Sequence, residues 1–561
     1  MTTLVQSSQR VAHSTSWRNS PVLTVAVLVL LAGFSFYFQI GSTPLFDWDE
    51  GAFSEATREM LAGGDYLTTY LNGEYRSAKP ILIYWLQAGA AHVFGLNEFA
   101  MRLPSAICAT LWTLLVFLFL RRVADSSTAL AGGIAMIGAL QISIIGRAAI
   151  SDALLNLCIT GAMLSIFLHD ADRDDDAHPL FGGRNRKQTL WGLSTFVAMG
   201  FGTLTKGPIA LIIPGVVSLA YFLLRRRWRA YFQLWLNPGG IALFALITLP
   251  WFVLQYAAQG QAFIDGFFLK HNVGRFAQAM EGHGGPLWYY LPVIILGMLP
   301  FSALLIRPAR VLRSALNDEL RTFAWLWFWF VFVFFSISGT KLPHYVIYGY
   351  TGLFVLMALD HEQIRYPVAY IPPFVFAALC LFLPEILAVA QTSVHDKYSQ
   401  AMLTGALKEF DLTYRVAAGV ATATFAGLAL WPRTNAGNNY IFNDARIRML
   451  IAAVALLGLL NFALVPVASR TLQSPVREAA EVIAREKPGP VVFWKFYWPS
   501  FLFYHRELVP VRLPRPGETV LLKTYELKYF KTYDLLYEKN GIALARVTSM
   551  DRDHYLRMML E

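Results

Sequence analysis

Charge is what this chain lacks most. Only 15% of its 561 residues are Asp, Glu, Lys or Arg, against roughly a quarter in ordinary soluble domains. With 56% hydrophobic residues and a mean hydropathy of +0.45, that shortage excludes a water-soluble globular protein and defines a polytopic membrane protein. Cysteine is scarcer still. Cys108, Cys158 and Cys380 all lie inside apolar runs, which excludes a disulfide framework and a cysteine metal site and leaves small packing residues. There is no G-x-x-x-x-G-K-[ST] loop, no convincing G-x-G-x-x-G and no H-x-x-x-H, so neither a nucleotide cradle nor a paired-histidine metal motif is read. The first twenty residues are polar and the run 21–40 is long enough to span, so no cleavable signal pattern is read.

What is there is a series of apolar segments. They begin near residues 21, 104, 128, 152, 189, 207, 240, 287, 322, 343, 367, 413 and 449, which predicts about thirteen transmembrane helices. An odd count puts the termini on opposite sides. Alternate connections carry Arg121 and Arg122, then Arg184, Arg186 and Lys187, then RRRWR at 225–229. The series continues with Arg307, Arg310, Arg313 and Arg321 and ends with Arg433, Arg446 and Arg448; Arg10 and Arg18 join it. The positive-inside rule makes that side, and the N-terminus, cytoplasmic. The net charge of +10 is thus a matter of topology and gives no reason to expect nucleic acid. The acid run Asp174-Asp175-Asp176 is read as a solvated cytoplasmic loop.

The chain divides into a membrane domain, 1–467, and an outer tail, 468–561. In the membrane domain, the first outer loop, 41–103, is expected to form a platform on the membrane. Within it, Ala52, Phe53, Ala56 and Met60 share one helical face opposite Glu55, Arg58 and Glu59, a pattern for a helix lying flat in the interface. PILIYWLQAGAAHVFG, 80–95, is short for a span and reads as a juxtamembrane or re-entrant helix. The tail is richer in charge and proline. PVREAAEVIARE reads as a helix and VVFW, TVLLK and ALARV as strands, giving a small α/β domain. Its stretches FYWPSFLFYHRE and KTYELKYFKTY suit either a stabilising cap or contact with lipid headgroups or a glycan.

The remaining polar motifs fall on the outer side. They are DWDE (47–50), SAKP (77–80), GRAAISD (146–152), LTKGP (204–208), FLKHNVGRF (268–276), EGHGGPLWYY (281–290) and SGTKLPHY (338–345). Lys79, Arg147, Lys206, Lys270, Arg275 and Lys341 run against the positive-inside trend. Singly, each is explained as a helix-end lysine or arginine reaching headgroups. Asp49 and Asp152 are likewise explained as helix caps. Six such cations interleaved with Asp49 and Asp152 point instead to an anionic ligand beside a carboxylate. With no nucleotide-sugar pool outside the inner membrane, an outer-side transferase needs a donor activated within the lipid. A polyprenyl-phosphate sugar fits: cations hold the phosphate and stabilise it as it leaves, and a carboxylate orients or deprotonates the attacking hydroxyl.

Taken in order, DEGAFSEATREML (49–61), AKPILIYWL (78–86), AAISDALL (148–155), LTKGPIALIIP (204–214), LPWFVL (249–254), KHNVGRF (270–276), PLWYYLPVIILGMLP (286–300) and TKLPHY (340–345) resemble the GT-C membrane glycosyltransferases. The resemblance is greatest to the lipid A aminoarabinose transferase (ArnT-like) branch of the protein-mannosyltransferase superfamily. It implies an all-α fold of thirteen transmembrane helices with periplasmic juxtamembrane helices and a small C-terminal α/β periplasmic domain. It also implies a bacterial inner-membrane enzyme that moves a sugar, with inversion, from undecaprenyl phosphate to lipid A or another glycan acceptor at the outer leaflet. By motif position Asp49 and Asp152 match the family's loop acids, and the resemblance implies that both are catalytic, with Asp49 foremost. Lys79 and Lys206 match lysines near the donor phosphate, and Arg275, Lys341 and Tyr345 fall in motifs near the same headgroup. Glu50 and His271 are further candidates. Lipid A-modifying members commonly read DETRYAE where this chain has DEGAFSE, and carry an acid before the KP pair where this chain has Ala78. That missing acid bears on a divalent metal, and no other cofactor is implied. Two other readings remain: a protein O-mannosyltransferase-like enzyme, and a transporter of lipid-linked sugar.

Overall fold

The computed structural model describes residues 21–172, 186–280, 282–310, 312, 316–431 and 444–550. Arg10, Arg18, Arg184, Arg313, Arg433, Glu281 and the acid run 174–176, all used in the sequence reading, lie outside the described residues.

A helix forms in each of the thirteen apolar segments. Among the described residues five helices are long and apolar enough to cross a membrane, and eight if each of three bent pairs counts as one span. Shorter or less apolar helices occupy the other segments. The helix expected from about 104 begins at Glu98, because the Asn97 side chain accepts the Ala100 amide at 2.9 Å and caps it there. Asp152–Ala171 is the central helix, with 89% of its apolar window buried. Pro238–Gln259 is peripheral, with 17%, and presents Leu246 and Val253 outward. An apolar surface of that kind is stable only against lipid.

Two polar rims lie at opposite ends of the central helix. At one end Asp170 meets Arg227 at 2.5 Å, and Arg227 reaches Glu319 at 3.0 Å. Nearby connections add Arg122 with Asp172 and Arg321 with Asp360. Basic residues from several of the cation-rich connections thus gather on one face. Asp152 stands at the other end, about 27 Å away at 1.5 Å per residue, close to the thickness of a bilayer's hydrocarbon core.

Beyond that second rim the loop 41–103 folds into the helix Asp49–Gly63, a two-stranded ribbon, Tyr70–Leu71 with Glu74–Tyr75, and the helix Leu82–Phe94. The tail forms the helix Ser474–Glu486 over a four-stranded sheet. Val491–Phe493 runs parallel to Thr519–Lys523; that strand pairs antiparallel with Ile542–Met550, which pairs antiparallel with Phe530–Lys539. Val476, Ile483, Phe493, Phe501, Leu521 and Leu544 fill its core.

One expectation changes here. Asp49–Gly63 does not lie with an open polar face. Glu55, Thr57 and Arg58 are as buried as Phe53 and Ala56, because Leu82–Phe94 covers one side and the tail helix Pro499–His505 the other. Pairing makes that burial tolerable: Arg58 forks onto Glu55 at 2.7 and 2.8 Å and donates to the Arg506 carbonyl at 3.0 Å.

Candidate active site

Asp49, Asp152, Lys206 and Arg275 each sit where a helix begins or ends, and Lys79 stands in the bend before Leu82–Phe94. Asp49 opens the loop helix, where the N-terminal dipole favours a carboxylate. Asp152 opens the central helix. Lys206 closes Arg186–Lys206, and Gly207 follows at φ +78° with Phe267 packed against it, a left-handed position that glycine takes without strain. Pro343 starts the 3₁₀ turn Pro343–Gly349. With three residues per turn, i and i+3 eclipse, so Tyr345 and Tyr348 face the same way.

The turn meets both helix ends. The Lys206 ammonium donates to Asp152 Oδ1 at 2.8 Å and to the Tyr348 hydroxyl at 2.6 Å, and that hydroxyl donates to Asp152 Oδ1 at 2.5 Å. Lys206 Nζ also lies 5.4 and 5.3 Å from the ring centroids of Tyr345 and Tyr348, within cation–π reach. An ammonium has three protons, so one remains for a ligand. Arg275 Nη1 donates to the Tyr345 hydroxyl at 3.1 Å. Lys79 makes no hydrogen bond among the described residues. Burial, then Lys206 and Arg275, hold its ammonium well below the usual lysine range, while Asp152 and Asp49 draw it back only in part. Asp49 is exposed and makes no hydrogen bond or ion pair among the described residues. His271 is pushed down to about 4 by burial and by Lys79, Arg275, Lys270 and Arg76, so at neutral pH it is an uncharged imidazole.

Asp49, Lys79, Asp152, Lys206, Arg275, Tyr345 and His271 therefore share one neighbourhood, although they come from six separate motifs. Two candidates stand apart. Glu50 is saturated: Arg102 forks onto it at 2.8 and 2.7 Å, and the Phe46 and Ala149 amides donate at 2.8 and 2.7 Å. Burial opposes its charge, but Arg102 and those amides keep its carboxyl below the usual range. Glu50 ties the loop to the membrane domain and has nothing left to offer a substrate. Lys341 donates its ammonium to the Ser338 carbonyl at 2.7 Å, within its own loop.

The sequence reading missed His344 and Tyr348. The signal was present, since Tyr345 and Tyr348 are spaced for a 3₁₀ turn begun by proline. His344 and Asp49 both line a cavity of about 960 Å³. Its wall also carries Arg147, which donates to Asn461 at 2.5 Å and to the Phe38 carbonyl, and apolar side chains such as Ile144, Phe376 and Phe462. Among the described residues no three His, Cys, Asp or Glu side chains converge, and Asp152 is engaged by Lys206 and Tyr348. This donor set does not fit a resident divalent metal, and no step below uses one.

The membrane helices, the helical first outer loop and the C-terminal α/β domain together follow the fold of a solved membrane protein. More narrowly, the chain is ArnT-like in fold and in sequence. It superposes on the crystal structure of ArnT from Cupriavidus metallidurans bound to undecaprenyl phosphate with a TM-score of 0.74, 19% identity, and coverage of 93% of this chain and 97% of that one. Residues 24–261 match the family model of dolichyl-phosphate-mannose-protein mannosyltransferases. The undecaprenyl phosphate-alpha-4-amino-4-deoxy-L-arabinose arabinosyl transferase of Edwardsiella ictaluri is 31% identical over 339 residues, 60% of this chain and 58% of that protein. Its Aeromonas hydrophila namesake is 28% identical over 400 residues, 69% and 70% of the two chains. The chain thus spans a little under three-fifths of the Edwardsiella relative.

Proposed function

We propose that this protein is an inner-membrane glycosyltransferase that moves a sugar, of the aminoarabinose type or a related one, from undecaprenyl phosphate to lipid A or another glycolipid at the periplasmic leaflet. One observation carries the reading: Lys79, Lys206 and Arg275 gather around Asp49 and Asp152 at one rim, beside a cavity of about 960 Å³ whose wall is largely apolar. The ArnT likeness, and the relatives' names, point to the same donor.

In this reading the acceptor oxygen attacks the anomeric carbon as its bond to the phosphate oxygen breaks, and undecaprenyl phosphate departs with the bonding pair. Lys79, Arg275 and the third proton of Lys206 meet the charge that develops on the phosphate. Asp152 and Tyr348 hold Lys206 in place. Asp49, free of other partners among the described residues, orients the acceptor and takes its proton when the acceptor is a hydroxyl. The outer loop and the tail are then periplasmic and the Asp170–Arg227 rim cytoplasmic.

Mass spectrometry of lipid A, core polysaccharide and glycoproteins from cells with and without the chain tests this. The expected result is a glycan mass present only with the chain. With donor lipid present, unchanged glycan masses would count against the enzyme. The mannosyltransferase family match keeps a protein hydroxyl acceptor as the rival, and the glycoprotein fraction reports it.

Proton traffic gives a second check. A phosphate beside Lys79 favours its charged form and restores a pKa that burial, Lys206 and Arg275 depress. Between the free-protein and bound values the protein therefore takes up a proton on binding, and affinity falls as pH rises from the lower value to the upper one. Calorimetry of undecaprenyl phosphate binding at alkaline pH, in buffers of differing ionisation enthalpy, is expected to give an uptake approaching about one proton. Lys79→Met should abolish it.

A further inference from the structure

Asp47 is an acid of the DWDE motif that the reaction above does not use, and it lines the same cavity wall as Asp49. Both its carboxylate oxygens are taken by one residue of the tail, 453 positions away. Oδ1 accepts the Ser500 amide at 2.9 Å, and Oδ2 accepts the Ser500 hydroxyl. The Asp47 amide donates to Gln473 at 3.3 Å, at the root of the tail. The Leu45 amide donates to the Tyr504 hydroxyl at 2.8 Å, and Trp48 lies 5.7 Å from the Tyr497 ring. Further out, Asn72 and Val509 exchange a pair of bonds at 2.8 and 2.9 Å. Every residue from 45 to 48 except Phe46 is thus held by the tail, and Phe46 is held by Glu50. Asp49 follows directly, with its own side chain unrestrained.

Gly51 shows how close the seat is. A Cβ there would stand 2.5 Å from the Ser500 amide nitrogen and 2.9 Å from its Cα, and would strike Asp47 Oδ1 as well. Here the glycine lets the tail sit directly on the turn before Asp49. FYWPSFLFYHRE, read from sequence as a surface for headgroups or glycan, is largely spent on this contact and on the tail's own core: Trp498, Phe501, Leu502 and Phe503 are buried.

We propose that the C-terminal domain positions the catalytic loop, with Asp47 as the positioning residue: the Asp47–Ser500 contact sets the geometry of Asp49 for transfer. This rests on the glycosyltransferase reading. A carboxylate displaced by about 1 Å loses about 10²-fold in rate without losing ground-state binding.

The test compares Asp47→Ala, Asp47→Asn and Gly51→Ala in the full chain, in detergent or nanodiscs. Asp47→Ala removes the acceptor, Asp47→Asn keeps one for the Ser500 amide, and Gly51→Ala wedges the two apart with Asp47 intact. Expected are a fall of about 10²-fold in kcat for Asp47→Ala and Gly51→Ala, an unchanged KM for the donor, and recovery of most turnover in Asp47→Asn. An unchanged kcat in Asp47→Ala overturns the proposal, as does a loss that tracks only the folded fraction with Asn no better than Ala. Hydrogen–deuterium exchange supplies a readout independent of activity. Amides 46–52 should exchange faster in Asp47→Ala and as in the wild type in Asp47→Asn; equal protection in all three overturns the proposal. A wild-type chain without transferase activity would sink the enzymatic reading instead, and the exchange result would still decide whether the tail orders the loop.

Discussion

Asp49→Asn is expected to lower turnover by about 10³-fold, the scale of a lost general base, while undecaprenyl phosphate binds as before. The substitution is a clean probe because of where the residue sits. Asp49 is exposed at the first turn of its helix and makes no hydrogen bond or ion pair among the described residues. Asn is itself tolerated at a helix start, so the fold has little to lose. Single-turnover transfer and donor binding, measured on the same preparation, separate chemistry from affinity. An acceptor that is already an ionised phosphate needs less help from a base than a hydroxyl does. The size of the loss on each acceptor type therefore reports which one the enzyme is built for. Wild-type turnover in Asp49→Asn would remove Asp49 from the mechanism.

Lys206→Met is expected to damage both the fold and transfer. The Lys206 side chain is 10% exposed and that of Asp152 4%. Removing the cation leaves a carboxylate in a nearly dry site with, among the described residues, the Tyr348 hydroxyl alone to donate to it. Breaking a buried pair from one side costs about 3–5 kcal/mol, most of it the burden of the orphaned charge. Equilibrium unfolding in mixed micelles reads that loss. The double substitution Asp152→Asn with Lys206→Met removes the orphan and should recover most of the stability, yet transfer should stay absent because the phosphate has lost a cation. If Lys206→Met is as stable as the wild type, the pair does not carry the rim.

The sequence made the membrane domain legible because spans in lipid are written in a single variable. Apolar length alone located all thirteen helical segments and, apart from them, the short Leu82–Phe94. The helix Ser474–Glu486 and the strands at 491, 519 and 542 were readable from period and composition. Phe530–Lys539 was not. It is an edge strand with most of its residues exposed, and Lys531, Asp534 and Glu538 break the alternation that marks a strand. Nor was Pro499–His505 legible as a helix, because a seven-residue stretch opened by Pro and Ser and dominated by aromatics carries little helical signal.

The site was legible to the extent that its chemistry is local. Acids at helix starts and lysines at helix ends stand out against the charge trend of a membrane chain. What the sequence hid was how those charges are spent. Glu50 and Asp49 are neighbours with similar side chains, yet Glu50 is consumed by Arg102 and two amides while Asp49 stays open. Asp47 is consumed by a residue 453 positions away. Such pairings depend on tertiary contacts that neither spacing nor composition encodes.

A structure of this protein with undecaprenyl phosphate bound tests the central claim most directly. The account predicts the phosphate oxygens in contact with Lys79, Lys206 and Arg275, with Asp49 facing the position of the sugar's anomeric carbon. A phosphate seated against the Asp170–Arg227 rim, or away from those three cations on either face, would contradict it.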